Sequence, residues 1–229
     1  MGKRPLGLIV AMGKELDQLL SVAENVEEKS AGGAVFHTCS IAGSGVVAMR
    51  SGIGKVNAAV GATRLISLFS PGLVVSTGVA AGADTSLSVG DVVAGTSYAY
   101  HDAYCGRECA YGQIQGMPER FAAPAGVLEK AASITSAKVR LGPIVSGDWF
   151  VDTVEKMRSI AAHFPDAAAV DMESCAIAHA CHLAATPFVS FRIISDVPLS
   201  DTGASQYFDF WDRLADGSFR ATREFVGML

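Results

Sequence analysis

At 229 residues, half of them apolar, the chain can bury a large core, and one α/β domain spanning 1–229 is expected. A net charge of −5 with no run of basic residues excludes a nucleic-acid-binding surface. Charged residues make up only 18% of the chain, so part of its surface is expected to be hidden in an oligomer.

The chain opens with a basic Met1-Gly-Lys-Arg-Pro followed by an apolar run. That run is short, meets Lys14 and Glu15, and lacks a small-x-small cleavage site, so it reads as a first buried strand at 6–11 and not as a signal peptide. A helix is predicted from Glu15. Strands predicted at 34–41 and 46–51 are separated by Ala-Gly-Ser-Gly, the spacing of a hairpin, which makes the sheet mixed. A helix at 55–70 follows. Residues 65–83 carry no charge, but Pro71-Gly72 divides them, so no membrane span is expected. Strands at 73–77 and 91–98 come next. Residues 100–124 are then irregular and rich in glycine and aromatics, and a long loop of this kind is functional or an interface. The rest alternates helices at 125–136, 154–163, 172–184 and from Gln206 with strands at 140–145, 167–170 and 187–195. Such alternation is that of stacked βα units.

Cys39, Cys105, Cys109, Cys175 and Cys181 are odd in number and form no C-x-x-C pair, so reduced thiols and a cytoplasmic location are expected. Ser51-Gly-Ile-Gly-Lys55 fails as a phosphate loop, because Met49 stands where the first glycine belongs and Val56 where a Ser or Thr belongs. It remains a tight strand-to-helix turn, with ligand contact and simple turn geometry both open. In Thr77-Gly-Val-Ala-Ala-Gly82 the small residues favour close backbone packing over a flat wall for a sugar or base. His179 and His182 lie three apart on one predicted helix, but with no further ligand cluster they do not indicate a metal site.

The most informative stretches are 167–176 and 188–196, apolar runs that stop at a carboxylate. A buried strand ending in an acid delivers it to the sheet edge, where open α/β folds place ligands. Glu15, Glu173 and Asp196 all sit at such transitions. Each has a structural reading, since acids favour a first helical turn and an Asp before Val-Pro initiates a turn. Together at one rim they suit a base, a sugar-hydroxyl clamp and a proton donor, which points to cleavage of a glycosidic bond.

The chain resembles the 5′-methylthioadenosine/S-adenosylhomocysteine nucleosidases, within the purine nucleoside phosphorylase superfamily. The matching pieces are Ala11-Met12 with Glu15, Ser51-Gly-Ile-Gly-Lys-Val56, Thr77-Gly-Val-Ala-Ala-Gly82, Tyr100-His-Asp-Ala103 and Tyr111-Gly-Gln113. Gly116-Met-Pro118, Ile144-Val-Ser-Gly-Asp148 with Phe150, Val170-Asp-Met-Glu173 and Phe191-Arg-Ile-Ile-Ser-Asp196 complete the set, in family order across nearly the whole chain. The resemblance implies a three-layer α/β/α fold around a mixed, partly closed central sheet, a homodimer, and an adenine nucleoside as substrate.

The resemblance also assigns roles. Glu15 activates the attacking water with Arg192 nearby, Glu173 binds the ribose hydroxyls beside Met172, and Asp196, aided by Ser195, protonates purine N7. Phe150 stacks on the base and the backbone of Val151 reads its edge. Val79 and Ala80 line the site, and Ile53 and Phe208 line the pocket for the 5′ substituent. No metal or organic cofactor is required. The chain departs from the family at Val79, where a serine is usual, at Ala81, where a glycine is usual, and between Ala103 and Tyr111. These departures leave the 5′ substituent open, with futalosine or 5′-deoxyadenosine hydrolysis as alternatives. A phosphorylase on the same fold and a non-catalytic nucleoside-binding protein are the other rivals.

Overall fold

The computed structural model describes residues 4–200, 210 and 219–229. Strands β1 (Leu6–Val10), β4 (Ser44–Arg50) and β5 (Leu73–Gly82) are continuous apolar runs because helices cover both of their faces. Successive side chains alternate between the two layers. Leu6, Leu8, Val10, Val46 and Val75 face a core shared with Leu19 of α1 (Gly13–Ser21), Ala131 of α3 (Ala125–Ala132) and Phe225 of α6 (Arg220–Gly227). Ile9, Val47, Met49 and Val74 face the opposite core, shared with Leu65 of α2 (Lys55–Phe69) and Ile177 of α5 (Ser174–Leu183). The result is the expected three-layer arrangement.

The expected hairpin forms between β3 (Ala34–Ile41) and β4. Its turn is Ala42-Gly43, both at positive φ, the type I′ geometry that matches strand twist. Strand β2 (Glu24–Ala31) has no counterpart among the predicted elements. It is an exposed edge strand paired antiparallel to β3, and its sequence Glu-Asn-Val-Glu-Glu-Lys-Ser-Ala carries no period-2 apolar pattern because neither face meets the core.

The other strands close on themselves. β5 pairs with β10 (Phe188–Asp196), which pairs with β6 (Val92–Tyr100), then β8 (Val139–Ser146), then β9 (Ala169–Asp171), which returns to β5. β1, β4, β3 and β2 fan out from the other edge of β5, and the two-residue β7 (Phe121–Ala122) pairs with β6. The β5–β9 pairing is antiparallel and involves only the ends, Ala81↔Val170 and Gly82↔Ala169. The C-terminal ends of two oppositely running parallel sets therefore converge at one rim. α4 (Val154–His163) covers that end through Met157 and Ile160, joined by Phe164 at its C-cap.

Several boundaries shift. The strand expected at 73–77 runs on to Gly82, so Thr77–Gly82 is the last part of β5 itself. The helix expected at 125–136 stops at Ala132, and the one expected from Met172 begins at Ser174, with Glu173 as its N-cap. Of the last predicted helix, α6 is the part within the described residues. All five cysteines are unpaired. Among the described residues no helix is long and apolar enough to cross a membrane.

Candidate active site

A cleft opens at the rim where the strand ends converge. Met12, Glu15, Ile53, Val79, Ala80, Phe150, Val151, Met172, Glu173, Ser195 and Asp196 all line it. They come from the ends of β1, β4, β5, β8, β9 and β10, so each apolar run delivers its terminal residues to one place. Arg192 does not line the cleft. It is fully buried on β10, beneath Glu15. Phe208 lies outside the described residues.

Glu15 is 2% exposed. Its Oε2 accepts from the N–H groups of Ala11 and Met12, each at 2.9 Å, and its Oε1 accepts from the N–H of Val79 at 3.2 Å. The structural reading of this acid therefore holds as well, because it satisfies donors at the start of α1. Burial nevertheless pushes its pKa up, against the pull of Arg192 and these N–H groups. The space it occupies exists because residue 78 is glycine: a Cβ there would lie 2.5 Å from Glu15 Oε1 and 2.9 Å from Arg192 Nη1.

Glu173 Oε1 accepts from the Gly54 N–H at 2.9 Å, and Oε2 lies 3.9 Å from Arg192 Nη2. Gly52 and Gly54 both adopt positive φ, so the glycine-rich turn curls its backbone onto this carboxylate. Burial raises the Glu173 pKa, and Asp171 adds to the rise. Asp196 sits 4% exposed at the end of β10, where burial raises its pKa while a 2.6 Å hydrogen bond from the Ser195 hydroxyl opposes the rise. The Phe150 ring is half exposed at the cleft edge beside Trp149. Lys55 joins the two loops flanking the mouth: Nζ reaches Asp102 at 2.7 Å, and the Asp148 N–H donates to the same carboxylate at 2.9 Å.

Four residues at the site had no assigned role in the sequence reading: Asp171, Gly78, Trp149 and Ser76. Asp171 lines the cleft floor and accepts from Arg192 Nε at 2.5 Å, and Ser76 Oγ accepts from Arg192 Nη2 at 3.0 Å. Asp171 stands two residues before Glu173 in the same acid-terminated run, the one available sequence signal. His179 is engaged elsewhere, 3.1 Å from the Tyr100 hydroxyl and stacked on Phe121. Among the described residues no group of three or more His, Cys, Asp or Glu side chains could hold a metal.

The chain matches the phosphorylase superfamily over residues 5–226. It is 38% identical over 230 residues to a 5′-methylthioadenosine/S-adenosylhomocysteine nucleosidase from Desulfotalea psychrophila, covering 98% of this chain and 97% of that one. Among solved structures, the nucleosidase of that name from Neisseria meningitidis in complex with methylthio-immucillin-A is 38% identical with a TM-score of 0.90, over 99% of this chain and 100% of that one. The Streptococcus pneumoniae nucleosidase with a transition-state inhibitor is 32% identical with a TM-score of 0.88, over 97% and 98% of the two chains.

Proposed function

The chain belongs to the phosphorylase superfamily and, within it, to the 5′-methylthioadenosine/S-adenosylhomocysteine nucleosidases, and we propose that it is an N-ribosyl hydrolase that cleaves such an adenine nucleoside into adenine and a 5-thio-ribose. In this reading Glu15 orients and deprotonates a water that attacks the anomeric carbon. Glu173 holds the ribose hydroxyls, Phe150 stacks on the adenine, and Asp196 delivers a proton to N7 so that the base leaves neutral. An Asp with a raised pKa is suited to that step, since general-acid help is worth roughly 10²–10⁴-fold.

The observation that carries the reading is the charge of the cleft wall. Glu15, Asp171, Glu173 and Asp196 line it, and no Lys, Arg or His is among its described lining residues. A phosphate dianion seated there would meet these carboxylates, while the nearby cation, Arg192, is buried behind them and already paired with Asp171. Two unit charges 4 Å apart interact by about 4 kcal/mol at an effective dielectric near 20. Water is the nucleophile this wall favours.

The test is to offer the protein 5′-methylthioadenosine, S-adenosylhomocysteine and 5′-deoxyadenosine, with and without phosphate, and to identify the released base and sugar. Free sugar and adenine, unchanged by phosphate, are expected; sugar 1-phosphate as the main product overturns the reading in favour of a phosphorylase.

We further propose a cytoplasmic homodimer. Support comes from the unpaired thiols and from exposed apolar side chains along α2, α5 and the 100–124 loop, including Val56, Val60, Leu183 and Tyr104. A fully active monomer in sedimentation and dilution assays refutes the dimer. If the 100–124 loop reaches the partner's 5′ pocket, Tyr104→Ala or Arg107→Ala should change the preference among 5′ substituents more than base release itself. Unchanged relative kcat/KM across those substrates refutes that placement.

A further inference from the structure

Asp171 has no step in the reaction proposed above, yet its carboxylate is saturated with donors beneath the cleft. Oδ1 accepts from Ser146 Oγ at 2.5 Å and from the Ser174 N–H at 3.2 Å. Oδ2 accepts from Arg192 Nε at 2.5 Å and from the Ser174 hydroxyl. The Ser174 proton is thereby committed, so at the 2.7 Å contact between Ser174 and Ser190 hydroxyls it is Ser190 that donates. A residue needed only to start α5 would require the Ser174 N–H and nothing more. Asp171 instead ties together the end of β8, the start of α5 and the middle of β10.

We infer that Asp171 is the positioning residue of the hydrolytic site: it grips Arg192 so that the remaining guanidinium nitrogens face Glu15 and Glu173, and it balances the charge Arg192 brings there. A guanidinium is planar and rigid, so fixing Nε fixes the other two nitrogens. With Nε on Asp171, Nη2 lies on Ser76 and 3.9 Å from Glu173, while Nη1 occupies the gap beside Glu15 that Gly78 leaves open. Without the Asp171 charge, Arg192 would pair with Glu15 and Glu173 alone. Glu15 would then be a weaker base for water, because a neighbouring cation stabilises the ionised form.

The groups that feel Asp171 are Arg192 from β10, Glu173 at the N-cap of α5, Cys175 within α5, Tyr98 from β6 and His101 just beyond it. Burial pushes Cys175 and Tyr98 up and His101 down. Glu173 is the member of this set that faces the reaction, and Glu15 is reached through Arg192.

The inference rests on the hydrolytic reading, and adenine release by the wild-type protein tests that reading separately. With wild type active, Asp171→Asn should lower kcat about 10²-fold, the scale of a misplaced catalytic group. The acid limb of its pH profile should move to lower pH, because Arg192 released from Asp171 stabilises the ionised form of Glu15 more strongly. Lost activity with an unmoved acid limb, or near-wild-type activity, overturns the inference. Should Asp171→Asn fail to fold, the comparison is Arg192→Gln against Asp171→Asn/Arg192→Gln, in which no unpaired buried cation remains. If Asp171 acts through Arg192, the two share the same kcat within about twofold. A further fall of about tenfold in the double variant shows an independent effect and overturns the inference.

Discussion

Gly78→Ala is the sharpest test of how the site is built. Gly78 lies in β5 opposite Arg192, at a φ that alanine tolerates, so the backbone need not change. The added Cβ would sit 2.5 Å from Glu15 Oε1, where ordinary contact begins at 3.4 Å. The carboxylate must retreat by about 1 Å, and its surroundings resist: three backbone N–H groups hold it, and Arg192 is pinned by Asp171 and Ser76. A displacement of about 1 Å at a catalytic group costs around 10²-fold in rate, or about 2.7 kcal/mol of barrier. Overpacking by one methyl group costs about 1–3 kcal/mol of stability, which for a chain of this size lowers Tm by several degrees. Adenine release followed by ultraviolet absorbance, alongside thermal unfolding, should show a folded variant with kcat down about 10²-fold and KM within a few-fold, because the base and ribose contacts remain. A folded Gly78→Ala protein with kcat within about threefold of wild type would refute the claim that this glycine makes room for the base.

Asp196→Asn should abolish turnover while substrate binding persists, since an amide can hydrogen-bond the base edge but cannot deliver the proton; retention of more than about a tenth of wild-type kcat removes the acid role. Glu173→Gln should be inactive yet more heat-stable than wild type at neutral and alkaline pH. Its pKa is raised in the fold, chiefly by burial, so ionisation above the unfolded value of 4.5 destabilises the protein; the Tm gain should vanish as pH falls below that value, and a gain that persists in acid contradicts the assignment. Glu224 behaves oppositely. Hydrogen bonds from Ser136 and Thr135 depress its carboxyl to about 2, so Glu224→Gln should lower Tm at neutral pH, and the deficit should shrink as pH falls from the unfolded value of 4.5 towards about 2. A deficit independent of pH would show that packing of α6, and not this charge, is what the substitution disturbs.

Much of the site was legible because it is written at strand ends. An apolar run that stops at Glu15, Glu173 or Asp196 encodes both the burial of the strand and the emergence of the acid, and neither depends on distant partners. The Ala42-Gly43 hairpin was legible for the same local reason. β2 was not, because an edge strand exposed on both faces loses the alternation by which strands are recognised.

What tertiary structure decided is which ends meet. β1, β4, β5 and β10 are apolar on both faces, so their sequences carry burial but no register and no list of neighbours. Pairing β5 with β1, β10 and β9 brings Gly78 against Glu15 and Arg192, and Asp171 against Arg192, across separations of tens to more than a hundred residues. Thr77–Gly82 read as close packing, and it is that, but what packs into the space is a charged pair. A missing Cβ and a carboxylate aimed at a remote guanidinium leave no local pattern, because the forces that select them act between elements brought together only when the sheet closes.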